Sequence, residues 1–175
     1  MALARVCTWI AVVVWAIWVG GQTYHAMMVV PIWSVDPPRT IERYTEAGEG
    51  APTLPFFVLF TTVWSFLAAT IASLASRSLP WGERRWIVIF AVGALLISVL
   101  LIAWMAPLIW GLILRNYSSA AEAAGKFRVW ETANTVRLAV ELVLLLVGMR
   151  ALIGMYSNAR MTPAETTAEQ AARGG

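Results

Sequence analysis

Four stretches of this chain are each apolar for longer than a membrane is thick, and that pattern constrains the fold more than any other feature. They run from about Val6 to Pro31, Pro55 to Ser76, Trp86 to Leu114 and Phe127 to Tyr156. A helix needs about 20 residues at a 1.5 Å rise to cross a hydrocarbon core. The pattern therefore predicts an all-α polytopic membrane protein, a four-helix transmembrane bundle in a single domain over residues 1–160. A polar tail, 161–175, is expected to be disordered. The first stretch also has the outline of a signal peptide, with Arg5 ahead of an apolar run and Gly20-Gly21 near a cleavage point. Its apolar character resumes from Ala26 to Ile32, which makes the run too long for a typical signal core.

Composition excludes the soluble alternatives. The chain is 59% hydrophobic and 13% charged, against roughly 25% charged in an average soluble domain. A globule of this size buries only about 70% of its surface and must cover the rest with polar groups, so both a soluble enzyme and a disordered chain are ruled out. Ten Trp suit a protein with two membrane interfaces to anchor.

Between the apolar stretches lie three connections. Trp33 to Leu54 contains Pro37-Pro38, Gly48, Gly50 and Pro52, with a charged run, Arg39 to Glu46, suited to a short interfacial helix. Arg77 to Arg85 is a tight turn, and Arg115 to Lys126 is rich in Ser and Ala. One side of the bundle then carries Arg5, Arg77, Arg84, Arg85, Arg150, Arg160 and Arg173. The other carries Arg39, Arg43, Arg115, Lys126 and Arg128. Positive residues stay in the cytoplasm, so both termini are expected there, in a multi-pass protein of the cell's inner membrane. No internal repeat is visible, which argues against an inverted-repeat transporter.

The residue inventory narrows the chemistry. A formal charge of +3 with no long basic run gives no footing for nucleic acid. The single Cys7 cannot form an internal disulfide or a Cys-x-x-Cys redox pair. The single His25 is too few for bis-His haem, a copper cluster or a His-rich di-iron centre. No metal and no cofactor are expected; a homo-oligomer would double these counts.

Depth places the remaining polar residues together. Counted inward from the non-cytoplasmic ends, His25 lies about 9 Å and Gln22 about 14 Å below Pro31, while Asn134, Arg137 and Glu141 lie about 10, 15 and 21 Å below Phe127. Thr61, Thr62, Trp64 and Ser65, with Trp104, Pro107 and Trp110, occupy the same half. Arg137 and Glu141 would each cost roughly 2.5 to 3.5 kcal/mol near mid-helix. At i and i+4 they can pair and point inward beside Asn134. One reading is a polar pocket in which Trp64, Trp104 and Trp110 hold a flat aromatic guest. The plainer reading is polar glue between helices, with His25 a packing residue rather than a base that titrates near neutrality. Trp9, Trp33, Trp81, Trp86 and Trp130 sit near boundaries and are expected as interfacial anchors. Pro107 is expected to kink the third helix.

Two stretches carry a family resemblance. The Gly20-Gly21 helix leading into Val30-Pro31-Ile32-Trp33 and Pro37-Pro38, and a final helix with Trp130, Asn134 and Arg137 as Trp-x3-Asn-x2-Arg, resemble the anthrone oxygenase-like family of small four-helix membrane proteins. Most members of that family are bacterial and have no known function. The resemblance implies oxidation of anthrones to anthraquinones, as associated with fungal relatives, without a cofactor. It transfers no catalytic residues, so the site rests on depth alone. An anthrone becomes reactive toward oxygen once deprotonated, and needs a base, a cation for the oxyanion and an apolar slot. His25 is the candidate base, Arg137 and Asn134 the groups on the anion, with Gln22, Trp64, Trp104, Trp110 and Glu141 around a lipophilic aromatic substrate. Two other readings stand beside it: a small transporter or lipophilic-ligand-binding protein using Arg137 and Glu141, and a structural subunit of a membrane complex.

Overall fold

Two prolines fall inside apolar stretches, where each removes a helix hydrogen bond and presses its ring toward the carbonyl four residues back. In the computed structural model, which describes residues 2–46 and 62–173, both conflicts are resolved in the same way. The turns just before them, His25–Val29 and Leu101–Met105, widen into π-helix. Val30 N–H then reaches back to the His25 carbonyl, and Ala106 N–H to that of Leu101. Pro31 and Pro107 stand in the first turn of the α-helical segments that follow, Val30–Val35 and Ala106–Ile113, where a missing N–H costs least.

With these widened turns inside them, two helices are continuous: α1 (Ala2–Val35) and α4 (Trp81–Ile113). Between them lie α2 (Pro37–Glu46) and α3 (Val63–Ala75), and α5 (Ala120–Arg173) closes the chain. Every described element is helical. Three helices are long and apolar enough to cross a membrane: α1, α4 and the Ala120–Ser157 part of α5. The fourth expected span is described only in part, as the apolar α3; its expected first residues, 55–61, lie outside the described residues.

The four long or apolar helices form a ring in the order α1, α3, α4, α5, and α5 packs back on α1. Trp15 of α1 and Phe90 of α4 meet edge to face across its middle, ring centroids 5.8 Å apart. Ser65 of α3 donates to the Ala11 carbonyl of α1 at 2.9 Å. The charged run after Pro37 forms the expected short helix, α2, which lies over the ends of α4 and α5 with Ile41 buried beneath it. Arg115, just past α4, takes a left-handed φ of 58°, a conformation that usually falls to glycine. Its N–H reaches the Leu112 carbonyl and that of Asn116 the Gly111 carbonyl, so the last carbonyls of α4 are capped. Salt bridges from Arg115 to Glu42 at 3.3 Å and Glu46 at 3.1 Å tie α2 to this cap.

Gly148 of α5 lies where α1 and α4 converge. A Cβ there would stand 2.9 Å from Val12 Cγ2 and 3.3 Å from Phe90 Cε2. Gly148→Val is expected to lower stability by roughly 1–3 kcal/mol through overpacking. Gly20→Ala, whose Cβ would meet nothing within 4 Å, is expected to leave stability unchanged or higher. Thermal unfolding of the two variants in detergent checks the contrast.

Candidate functional site

On α5, Trp130, Asn134, Arg137 and Glu141 follow one another at spacings of four, three and four, which puts them on one helical face. On α1, Trp15, Trp18, Gln22 and His25 do the same at three, four and three. The two stripes face each other, and the polar residues meet between them.

Arg137 and Glu141 form the centre. They stand midway along Ala120–Ser157, 3% and 0% exposed, with Arg137 Nη1 3.2 Å from Glu141 Oε1. Arg137 Nη2 donates to Asn134 Oδ1 at 2.7 Å and to Gln22 Oε1. The indole N–H of Trp18 donates to the same Glu141 oxygen at 2.9 Å, and that of Trp15 to the Glu141 main-chain carbonyl at 3.1 Å. The guanidinium also lies over the Trp18 ring, 5.5 Å from its centroid. Each charge is thus neutralised by its neighbour and further shared with neutral amides and indoles, which is what a low-dielectric setting demands of a buried pair. One donor and one acceptor are left over: Arg137 Nε and Glu141 Oε2 are buried and have no hydrogen-bond partner among the described residues.

One turn further along both stripes is an aromatic box. The imidazole of His25, on the widened turn of α1, meets Trp33 edge to face at 5.2 Å and Trp130 at 6.2 Å. Trp33 and Trp130 lie 6.0 Å apart, and Phe127 adds a further ring at 5.8 Å from Trp130. His25 is half-buried and makes no hydrogen bond to a described residue. π-Turns of this kind recur at functional sites because they turn a side chain out of the regular helical pattern.

The structure therefore brings together Gln22, Asn134, Arg137 and Glu141, with His25 adjacent. It does not bring in the three tryptophans expected to sandwich a guest. Trp64, Trp104 and Trp110 are 53%, 45% and 36% exposed, on the outside of the bundle rather than around the polar pair. Depth had placed them at the right level, but depth carries no information about direction around the helix. For Trp104 and Trp110, the residue added by the π-turn Leu101–Met105 also rotates the pattern. The expectation that Trp33 and Trp130 are interfacial anchors is corrected as well: both are buried, at 3% and 6% exposure, packed with His25 and Phe127 in a core that α2 joins through Ile41. Trp9 and Trp81 do face outward.

Sequence reasoning missed Trp15 and Trp18, which supply two of the hydrogen bonds on Glu141. Their shared stripe with Gln22 and His25 was the available signal. Among the described residues no three His, Cys, Asp or Glu side chains come together as metal ligands. A separate apolar groove of about 310 Å³ runs between α3 and α4, beside the π-turn, lined by Val63, Phe66, Leu95, Ser98, Val99, Ile102 and Ala103.

Compared with protein-family models, curated proteins and solved structures, the chain matches none.

The pairing has a measurable signature. Arg137→Met and Glu141→Leu are each expected to destabilise the protein by roughly 3–5 kcal/mol, because each leaves an uncompensated buried charge. The double variant is expected to cost much less than their sum. Unfolding of all four proteins in detergent gives the coupling energy.

Proposed function

We propose that the chain is a four-span protein of the inner membrane, with both termini cytoplasmic, and that it is a cofactor-independent oxygenase of the anthrone oxygenase-like kind. The substrate in this reading is a lipophilic aromatic bearing an acidic C–H beside a carbonyl. The observation that carries it is His25: the chain's one imidazole, held between Trp33 and Trp130 without a hydrogen bond to a described residue, one turn from Gln22, which accepts from the buried Arg137.

The residues divide the work as follows. The box of Trp33, Trp130 and Phe127 receives the rings of a planar guest by stacking and edge contacts. His25 takes the proton from the substrate carbon, and the carbanion delocalises onto the neighbouring carbonyl as an enolate. The enolate gives its electrons to molecular oxygen, a C–O bond forms, and loss of water leaves a new carbonyl, so that one CH2 and one O2 become one C=O and one H2O. Asn134 accepts from Arg137 through its carbonyl oxygen and so keeps its amide N–H groups to donate to the enolate oxygen. Arg137 is already shared among Glu141, Gln22 and Asn134; its part is to orient Asn134 and hold the local potential.

Removal of the base is the direct test. With membranes containing the full chain and a hydroxyanthrone as substrate, His25→Ala is expected to lower the rate of quinone formation by about 10²- to 10⁴-fold, the usual worth of a positioned general base. Oxygen uptake at the wild-type rate in that variant would remove the reading.

The groove between α3 and α4 favours a second reading, a carrier or binding protein for a lipophilic molecule. Proteoliposomes that move an anthrone-like dye without oxidising it would establish that instead. Orientation is checked separately: a reporter active only in the cytoplasm is expected to work when fused after Gly175.

A further inference from the structure

Charge is handled differently at the two ends of the bundle. At the end covered by α2, three of the five bases have acids beside them: Arg39 with Asp36 at 3.7 Å, Arg115 with Glu42 and Glu46 at 3.3 and 3.1 Å, Lys126 with Glu122 at 2.8 Å. At the opposite end, where residues 2–9, 76–87 and 149–157 meet, Arg5, Arg77, Arg84, Arg85 and Arg150 stand with one acid, Glu83, which reaches Arg150 at 3.5 Å.

These arginines flank one buried cluster in sequence. Ala4, Leu79, Ile87 and Ala151 belong to it, and they adjoin Arg5, the Arg77 turn, the Arg84 turn and Arg150 in sequence. Two guanidinium groups stand near the Trp86 ring, that of Arg85 at 5.1 Å and that of Arg150 at 5.8 Å. Arg5 lies 5.4 Å over Tyr156, whose hydroxyl accepts from the Trp9 indole at 3.0 Å. The Nε atoms of Arg5 and Arg84 are buried and have no hydrogen-bond partner among the described residues.

We propose that this end is a binding site for the headgroup of an anionic phospholipid. Guanidinium groups recognise phosphate oxygens in pairs. Trp9, Trp86 and Tyr156 supply the amphipathic rings that sit at headgroup level, next to an apolar bundle wall where acyl chains lie. The excess of arginine over acid also sets the selectivity: it attracts a net negative headgroup and repels the choline cation of a zwitterionic one. A free phosphate shares the oxygen chemistry but gains nothing from the rings and the wall.

The experiment is a lipid titration of the full chain in neutral detergent, read by native mass spectrometry. Dioleoyl-phosphatidylglycerol is expected to bind saturably and at least about tenfold tighter than dioleoyl-phosphatidylcholine. The variant Arg5→Gln/Arg84→Gln is expected to lose that preference, and Arg39→Gln/Arg128→Gln, at the other end, to keep it. If the first variant aggregates, Arg85→Gln/Arg150→Gln, altered at exposed positions, takes its place with the same expectation. Equal affinity for the two lipids would overturn the proposal, as would a preference that survives in the arginine variants. Displacement of phosphatidylglycerol by millimolar inorganic phosphate, but not by sodium chloride of equal ionic strength, would also overturn it in favour of a phosphate site.

Discussion

A guanidinium and a carboxylate halfway along an apolar helix have no water to fall back on, so whatever surrounds them must do the work of solvent. Each would cost several kcal/mol unpaired in hydrocarbon, more than any single apolar contact in the bundle returns. Arg137 and Glu141 sit one turn apart on α5 and satisfy part of this need themselves. The remainder comes from α1, through Gln22, Trp18 and Trp15. That requirement fixes the rotation of α5, which must turn Asn134, Arg137 and Glu141 inward. It also fixes the register of α1 against α5, because a slide by one turn would carry Gln22 and Trp18 away from their partners. Apolar packing alone specifies neither, since a leucine face is equally content at several registers.

The prolines impose a second constraint, and it reaches the site. Pro31 could have kinked α1 sharply; the widened turn His25–Val29 absorbs the missing bond instead and keeps Ala2–Val35 continuous. The cost is one residue out of phase. His25 is the first residue of that turn, and its ring lies between Trp33, beyond the proline on α1, and Trp130 on α5. Without the extra residue, Trp33 would sit about 100° further round the helix and could not close the box. In α4 the same device in front of Pro107 leaves Ile102 and Ala103 lining a groove against α3. One conflict between proline and helix geometry thus shapes both the aromatic cluster and the groove.

What the sequence made legible follows from which quantities are fixed per residue. Rise per residue is nearly constant, so counting from the chain's turns put Gln22, Asn134, Arg137 and Glu141 at compatible depths, and the structure brings them into contact. Helical character was legible in the same way, from apolar length. Azimuth was not. Trp64, Trp104 and Trp110 shared the right level but point outward, since a single helix does not record which of its faces another will cover, and a π-turn resets the count. Nearness to the ends suggests anchors at Trp33 and Trp130, whereas their burial comes from packing on each other, His25 and Phe127 in a core that α2 joins through Ile41. Trp15 and Trp18 were lost among hydrocarbon because their indole N–H groups matter only once Glu141 is known to lie opposite.

The two ends of the bundle show how a chain with few charges uses them. Where α2 folds back, its Glu42 and Glu46 meet Arg115, and that arginine occupies the left-handed position that ends α4. The paired charges there serve the covering of a helix end and cancel in the far field. At the other end Arg5 and Arg85 lie beside aromatic rings, and Arg150 is shared between Trp86 and Glu83, so less of the charge is cancelled nearby and more extends into the surroundings. Which end is carried across a membrane follows the count of Lys and Arg rather than net charge, so the acids that pair with Arg115 and Lys126 do not by themselves favour transfer of that end. Acid pairing does separate work: it lowers the field at the α2 end and leaves a positive one at the other, which is the field that the proposed anionic headgroup would meet.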